Sequence, residues 1–185
     1  MSRKTEETEF EEEAILTAAK LMLISARTAP KTGGKDDIYT KLITGKQKDR
    51  IAAKMESIGR KRRIPQFKRD AQNLGNSRAL VLIGVAGTKS LGVNCGACGY
   101  ANCAEFEKAQ KQTGNDFTGP NCIFKLLDLG IALSSAVKTA STMNVDNRIM
   151  YRVGTVAKML KLIPEATVIM GIPLSATGKS IYFDR

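Results

Sequence analysis

Three of the chain's four cysteines, Cys95, Cys98 and Cys103, fall within nine consecutive positions, and the fourth, Cys122, stands alone after eighteen intervening residues. If the four thiols share one centre, the fold must bring the start of a second segment back onto a single tight loop. Two centres use four thiolates, a zinc ion and an iron–sulfur cluster. Structural zinc held by four cysteines prefers two C-x2–4-C pairs, each gripping the metal from one turn, and here the second pair is missing. A cubane has iron at four corners, which one compact loop and one distant residue can reach. The spacing Cys95-x2-Cys98-x4-Cys103…Cys122 therefore favours [4Fe–4S] over zinc. Four unliganded thiols remain the third reading, although three thiols in nine residues are an odd way to fill a core.

The residues between the cysteines agree with a wrapped ligand. Gly92, Gly96 and Gly99 allow the backbone to bend closely and aim N–H groups at sulfur. Cys103 opens AEFEKAQK, a predicted helix, and Cys122 opens IFKLLDLGIALSSAVKTA, a longer and more apolar one. Each helix start would set partial positive charge beside an anionic centre. Pro120, two residues before Cys122, suits a fixed approach to the second helix.

Composition narrows the chemistry. The 185 residues contain no histidine, which removes the commonest general base and the usual nitrogen ligand for zinc. Ser-His-Asp and Cys-His hydrolases are excluded, no catalytic site made of side chains alone is evident, and any chemistry is expected from a cofactor. No apolar run approaches the ~20 residues of a membrane span. The opening MSRKTEETEFEEEA lacks the apolar stretch of a secretory signal, so a cytoplasmic protein with reduced, ligating cysteines is expected.

The net charge of +11 is unevenly spread. Residues 46–70 carry ten Lys/Arg against Asp49, Glu56 and Asp70, whereas the first fourteen carry six glutamates against Arg3 and Lys4. A basic stretch of this kind meets nucleic acid or an acidic partner. Nucleic-acid binding through Lys54, Arg60, Lys61, Arg62, Arg63, Lys68 and Arg69 finds little support, because only Phe67 interleaves with them as an aromatic. The expected partner is an acidic redox protein.

The rest of the chain alternates helix and strand. Residues 10–27 place Ile15, Ala18, Ala19, Met22 and Ala26 on one helical stripe, ended by Pro30 and Gly33-Gly34. DIYTKLITG reads as a short strand, and Ile51, Met55 and Ile58 put the basic charges on the outer face of a helix. RALVLIGVAG and TVIMGIPL read as buried strands, residues 148–162 as a helix, and SIYF as an edge strand. The expected architecture is α+β, a small sheet covered by helices.

CGACGYANCAEFEKA followed by GPNC resembles the CGxCGxxxCxxF…C pattern of four-cysteine [4Fe–4S] domains found in Rnf-type electron-transport complexes and corrinoid iron–sulfur proteins. The resemblance covers roughly residues 92–130 and implies Cys95, Cys98, Cys103 and Cys122 as the ligands. AILTAAKLMLISARTAPKTGG, LLDLGIALSSAVKTASTMNVD and VAKMLKLIPEATVIMGIPL are similar, in order, to the opening helix, the Asp-x-Gly central helix and the closing strand of nitroreductases. The whole chain thus resembles the prokaryotic family of uncharacterised proteins containing a ferredoxin domain. That resemblance implies one nitroreductase-like domain over 1–185 with a cluster segment, 92–130, set into it, and low-potential electron transfer as the function. It also implies a homodimer, with the apolar tail Ser180-Ile181-Tyr182-Phe183 crossing to the neighbour. FMN is the cofactor of nitroreductases, whose Arg-rich phosphate segment is represented here only by Ser2-Arg3-Lys4 and, at the other end, Lys179. Little or no bound FMN is therefore expected. A flavin-dependent reductase relaying electrons from cluster to FMN is the alternative, and a basic metal-containing nucleic-acid binder the third.

Overall fold

In the computed structural model the described residues are 3–183, with side chains from residue 9 onward. Helix α1 (Arg3–Thr28) leads through a 3-10 turn at Thr32–Gly34 into strand β1 (Ile38–Thr44). Two helices, α2 (Gly45–Arg62) and α3 (Gln66–Asn76), precede β2 (Ala79–Val85). After the cysteine loop come α4 (Cys103–Lys108) and a small hairpin, β3 (Gln112–Thr113) and β4 (Thr118–Gly119). The chain closes with α5 (Ile123–Thr142), β5 (Asp146–Asn147), α6 (Tyr151–Met159) and β6 (Val168–Ser175).

The main sheet has the order β1-β2-β6-β5, antiparallel throughout. β2 is buried on both faces, so it reads as a continuous apolar run, and its side chains divide by alternation. Ala79, Val81, Ile83 and Val85 face α1 and α5, while Leu80 and Leu82 face α2, α3 and α6. The helical stripe Ile15, Ala18, Ala19, Met22, Ala26 is wholly buried against the first face, as its spacing predicts. Ile15 and Met22 each contribute roughly 1.5–3 kcal/mol when taken out of water, and the alanines less. On the second face, a Cβ at Gly154 would lie 1.7 Å from the Ile169 carbonyl oxygen, so only glycine lets α6 lie this close to β6.

The sequence expectation needs revision in three places. The basic stretch is two helices: Arg63 takes a left-handed conformation (φ 58°) and Pro65 follows, which stops α2 and starts α3. Its charges are also not all on an outer face. Lys48 is buried, and its ammonium donates to the carbonyls of Leu74 at 3.0 Å and Gly75 at 2.9 Å, the open C-terminal end of α3.

The tail SIYF is not a strand. Tyr182 folds back into the core at 3% exposure, its phenol 2.9 Å from the Ser77 hydroxyl, and its carbonyl accepts from Arg148 at 3.0 Å. Arg148 also lies over the Phe183 ring. Tyr182 takes this place and not a strand's because Ser77, just past α3, receives its phenol. Ser2 lies outside the described residues, and so do the side chains of Arg3 and Lys4.

Candidate metal centre

The segment between β2 and α5 carries a small core of its own, in which Leu91, Phe106 and Cys122 are buried and Cys98, Tyr100 and Phe124 pack around them. Tyr100 meets Phe106 edge to face at 5.9 Å, and the Lys111 ammonium caps the same ring at 4.5 Å. This aromatic plug holds the cysteine loop to the body of the protein.

Cys95, Cys98, Cys103 and Cys122 all line one hollow, together with Ser90, Leu91 and Val93. Cys122 is 6% exposed at its floor and Cys95 is exposed at its rim, with Cys98 and Cys103 between. The loop turns where the glycines stand: Gly92, Gly96 and Gly99 have φ of 92°, 72° and 86°. At Gly92 and Gly99 an added Cβ would meet nothing within 4 Å, so backbone conformation, not crowding, demands glycine there. Asn94 (φ 51°) fastens the loop to α4 reciprocally. Its N–H reaches the Cys103 sulfur at 3.3 Å, and its side-chain oxygen accepts from the Cys103 N–H at 2.9 Å. The amides of Asn94, Gly92 and Val93 and the Ser90 hydroxyl all act on that sulfur, and hydrogen bonding from Asn94 above all holds its thiol below the ordinary range.

Cys122 is fixed from beneath. Its N–H donates to the Gly87 carbonyl at 2.7 Å, just past the end of β2. Gly87 in turn donates to the Thr167 hydroxyl at 2.9 Å, and that hydroxyl lies 2.7 Å from the Asn121 side-chain oxygen. A Cβ at Gly87 would sit 2.2 Å from that oxygen, so glycine is required for Asn121 to dock. Asn121 also donates to the Thr118 carbonyl, after which Gly119–Pro120 is a cis peptide. Cys122 is the N-cap of α5, and Asp128-Leu129-Gly130 lies in that helix's second turn, not at its start as the resemblance implied.

Behind Cys122, one turn into α5, lies Lys125, with no exposed surface. Its ammonium is 2.8 Å from Asp37, whose other oxygen meets Lys89 at 2.8 Å, and it reaches the Lys35 carbonyl at 3.2 Å. The Lys35 ammonium donates to the Leu91 carbonyl at 3.0 Å, on the wall of the hollow. Burial alone would raise the Asp37 carboxyl, but the hydrogen bonds from Lys125 and Lys89 hold it below its usual value. Asp128, buried one turn further on, accepts from the N–H and hydroxyl of Thr32 through one oxygen, while its second oxygen has no partner among the described residues. Sequence reasoning missed Lys125 and Asp128. Their signal was two charges in the apolar first half of the helix, three and six residues after a cysteine.

The donor set suits a soft, thiolate-binding centre: four cysteines around one hollow, no imidazole, and backbone amides directed at one sulfur. Among the described residues, no three His, Cys, Asp or Glu side chains stand close enough to form a metal-binding group as they are. No helix among the described residues is long and apolar enough to cross a membrane.

Comparison with known proteins gives a family and a fold. The profile of a family described as "Uncharacterized protein containing a ferredoxin domain (DUF2148)" matches residues 118–185. An uncharacterized protein of Archaeoglobus fulgidus is 49% identical over 179 residues, covering 97% of this chain and 96% of its own. Among solved structures, a nitroreductase from Lactococcus lactis in complex with nicotinic acid superposes with a TM-score of 0.58 at 12% identity, over 94% of this chain and 85% of its own. An FMN- and NADPH-dependent nitroreductase from a Sphigopyxis species gives 0.57 at 12% identity, over 91% and 83%. The fold is nitroreductase-like, as the sequence implied.

Proposed function

The chain belongs to the family described as uncharacterized proteins containing a ferredoxin domain, and we propose that it is an electron-transfer protein holding one [4Fe–4S] cluster on Cys95, Cys98, Cys103 and Cys122. The observation that carries this reading is that all four cysteines line one hollow, from two segments that the Gly87–Thr167–Asn121 network ties together. Such a cluster, when bound, takes up and releases single electrons. The chain's own part is to fix the sulfurs, aim amides at them and leave one edge, Cys95, open to a partner. Spectroscopy of anaerobically purified protein, with iron, sulfide, zinc and flavin quantified on one sample, tests it.

The partner is an acidic redox protein, and the basic end of α2 supports that reading. Arg60, Arg63 and Lys68 rim a cavity of about 420 Å³ floored by Ile64 and Pro65 at the turn into α3. Among the described residues, the Arg63 and Lys68 side chains form no ion pair. The pocket thus offers uncommitted cations to a carboxylate, and charge complementarity of this kind speeds encounter.

Self-association is the second element. Phe10, Leu21 and Ile24 on α1, Leu127 and Ile131 on α5, and Met143 just past its end are exposed, Ile24 at 58%. Large apolar side chains grouped on adjoining helices fit a subunit contact. The homodimer is thus assigned to the α1–α5 face and not to the tail.

A flavin-dependent reductase remains as a second reading, favoured by the nitroreductase-like fold alone. It requires FMN in the purified protein.

A further inference from the structure

A lysine with no exposed surface is rare, and when present it is paired or has a task. Lys125 is such a residue, and nothing in the packing of α5 requires it. Leucine or methionine would fill the same place without the cost of removing a charge from water. Its position is distinctive: three residues after Cys122 it lies on the same helix face, one turn behind that sulfur. It is also the centre of a charge cluster. Lys125 and Lys89 share the Asp37 carboxylate, and Lys35, whose carbonyl Lys125 contacts, reaches the wall of the cysteine hollow through Leu91. Two ammonium groups thus flank one carboxylate, with Lys125 three residues from Cys122 and Lys35 linking the group to the wall of the hollow. The next acid on the helix, Asp128, is held by Thr32 and does not join the group.

We propose that the Lys125–Asp37 pair sets the reduction potential of the cluster, Lys125 raising it and Asp37 moderating that effect. The proposal rests on the cluster reading above. Reduction adds one negative charge to the cluster, and a nearby cation in a region sheltered from water stabilises that added charge. Removing the cation leaves reduction harder, and removing the carboxylate leaves Lys125 uncompensated and reduction easier. The two substitutions therefore act with opposite sign. A pair that serves only to pin β1 to α5 has no reason to move the potential in opposite directions.

The test is an EPR-monitored redox titration of the full chain, purified anaerobically, for wild type, Lys125→Met, Asp37→Asn and Lys125→Arg. For Lys125→Met the reduced-to-oxidised ratio at fixed potential is expected to fall about tenfold, which for one electron is about 59 mV more negative. Asp37→Asn is expected to shift to more positive potential, and Lys125→Arg to stay near wild type. Should Lys125→Met fail to fold, Asp37→Asn decides alone: a positive shift supports the proposal, and no shift or a negative one overturns it. Equal or same-sign shifts in the Met and Asn variants overturn it as well. Wild-type protein without iron and sulfide instead removes the cluster reading itself, a result distinct from a cluster whose potential ignores Lys125.

Discussion

Arg62, the last residue of the basic helix α2, donates to Asp116 at 2.6 Å across 54 positions of sequence. Asp116 lies in the turn between β3 and β4, six residues before Cys122, and it also accepts from the Tyr151 hydroxyl. Phe117 packs edge to face on Tyr151 at 5.3 Å. Through these contacts the segment leading to the fourth cysteine is clamped to α2 and α6. Arg62 is therefore structural, unlike its neighbours Arg60 and Arg63.

Replacing Arg62 by Ala should destabilise the protein by about 1 kcal/mol, since the pair is mostly sheltered from solvent. The same change in an Asp116→Ala background should cost much less, because the partner is already gone. Additive losses in urea unfolding would show that the two residues do not act together. The pair also has a pH signature. Burial alone would raise the Asp116 carboxyl, but hydrogen bonds from Tyr151 and Arg62 hold it below its ordinary value of 3.8. A depressed folded pKa gives stability that is present above the ordinary value and lost as pH falls through the depressed one. Asp116→Asn should therefore flatten the stability curve below about pH 4.

Charge reversal of Arg60, Lys61 and Arg63 to Glu, leaving Arg62 in place, should slow electron exchange with an acidic donor protein. The effect should be strongest at low salt, where screening is weakest. Unchanged exchange rates would move the docking face elsewhere. Tight, salt-sensitive binding of generic DNA or RNA by wild-type protein would favour the nucleic-acid reading instead.

The tail and the dimer now separate. Ile24→Glu combined with Ile131→Glu should convert a dimer to a monomer in light scattering, since both side chains lie on the exposed α1–α5 face. Truncation after Ser180 should instead lower thermal stability, because it removes buried Tyr182 together with its bond to Ser77. A monomeric wild type at micromolar concentration would contradict the first expectation.

Burial pushes the Tyr182 phenol up to about 12, with the Ser77 hydrogen bond acting in the opposite direction. A raised folded pKa means that the protonated form belongs to the native state. Its stabilisation is complete below the ordinary value of 10.0 and is lost as pH rises through about 12. Ultraviolet titration should show a late step at about 12 that Tyr182→Phe abolishes, while Tyr151, which its hydrogen bond to Asp116 also holds above the ordinary value, keeps its own step.

Much of this was legible in the residues because the informative patterns are local. The alternation of β2, the helical stripe of α1 and the positive φ at the loop glycines each follow from a few consecutive side chains. What could not be read is what long-range packing decides. Lys48 looks like any surface lysine until α3 returns its carbonyl ends to it, and Tyr182 looks exposed until Ser77 receives it. Lys125 is the sharpest case. Its neighbours in sequence announce an apolar helix, and only the return of Asp37 from the start of β1 explains a charge there.

Single-sample analysis of anaerobically purified protein tests the central claim most directly: absorption and EPR spectra, with iron, sulfide, zinc and flavin quantified together. The account predicts about four irons and four sulfides per chain, an EPR signal on reduction, and little FMN, with most of the chromophore lost in Cys95→Ser, Cys98→Ser, Cys103→Ser and Cys122→Ser alike. Stoichiometric zinc without sulfide, or a fully loaded cluster in Cys122→Ser, would contradict it.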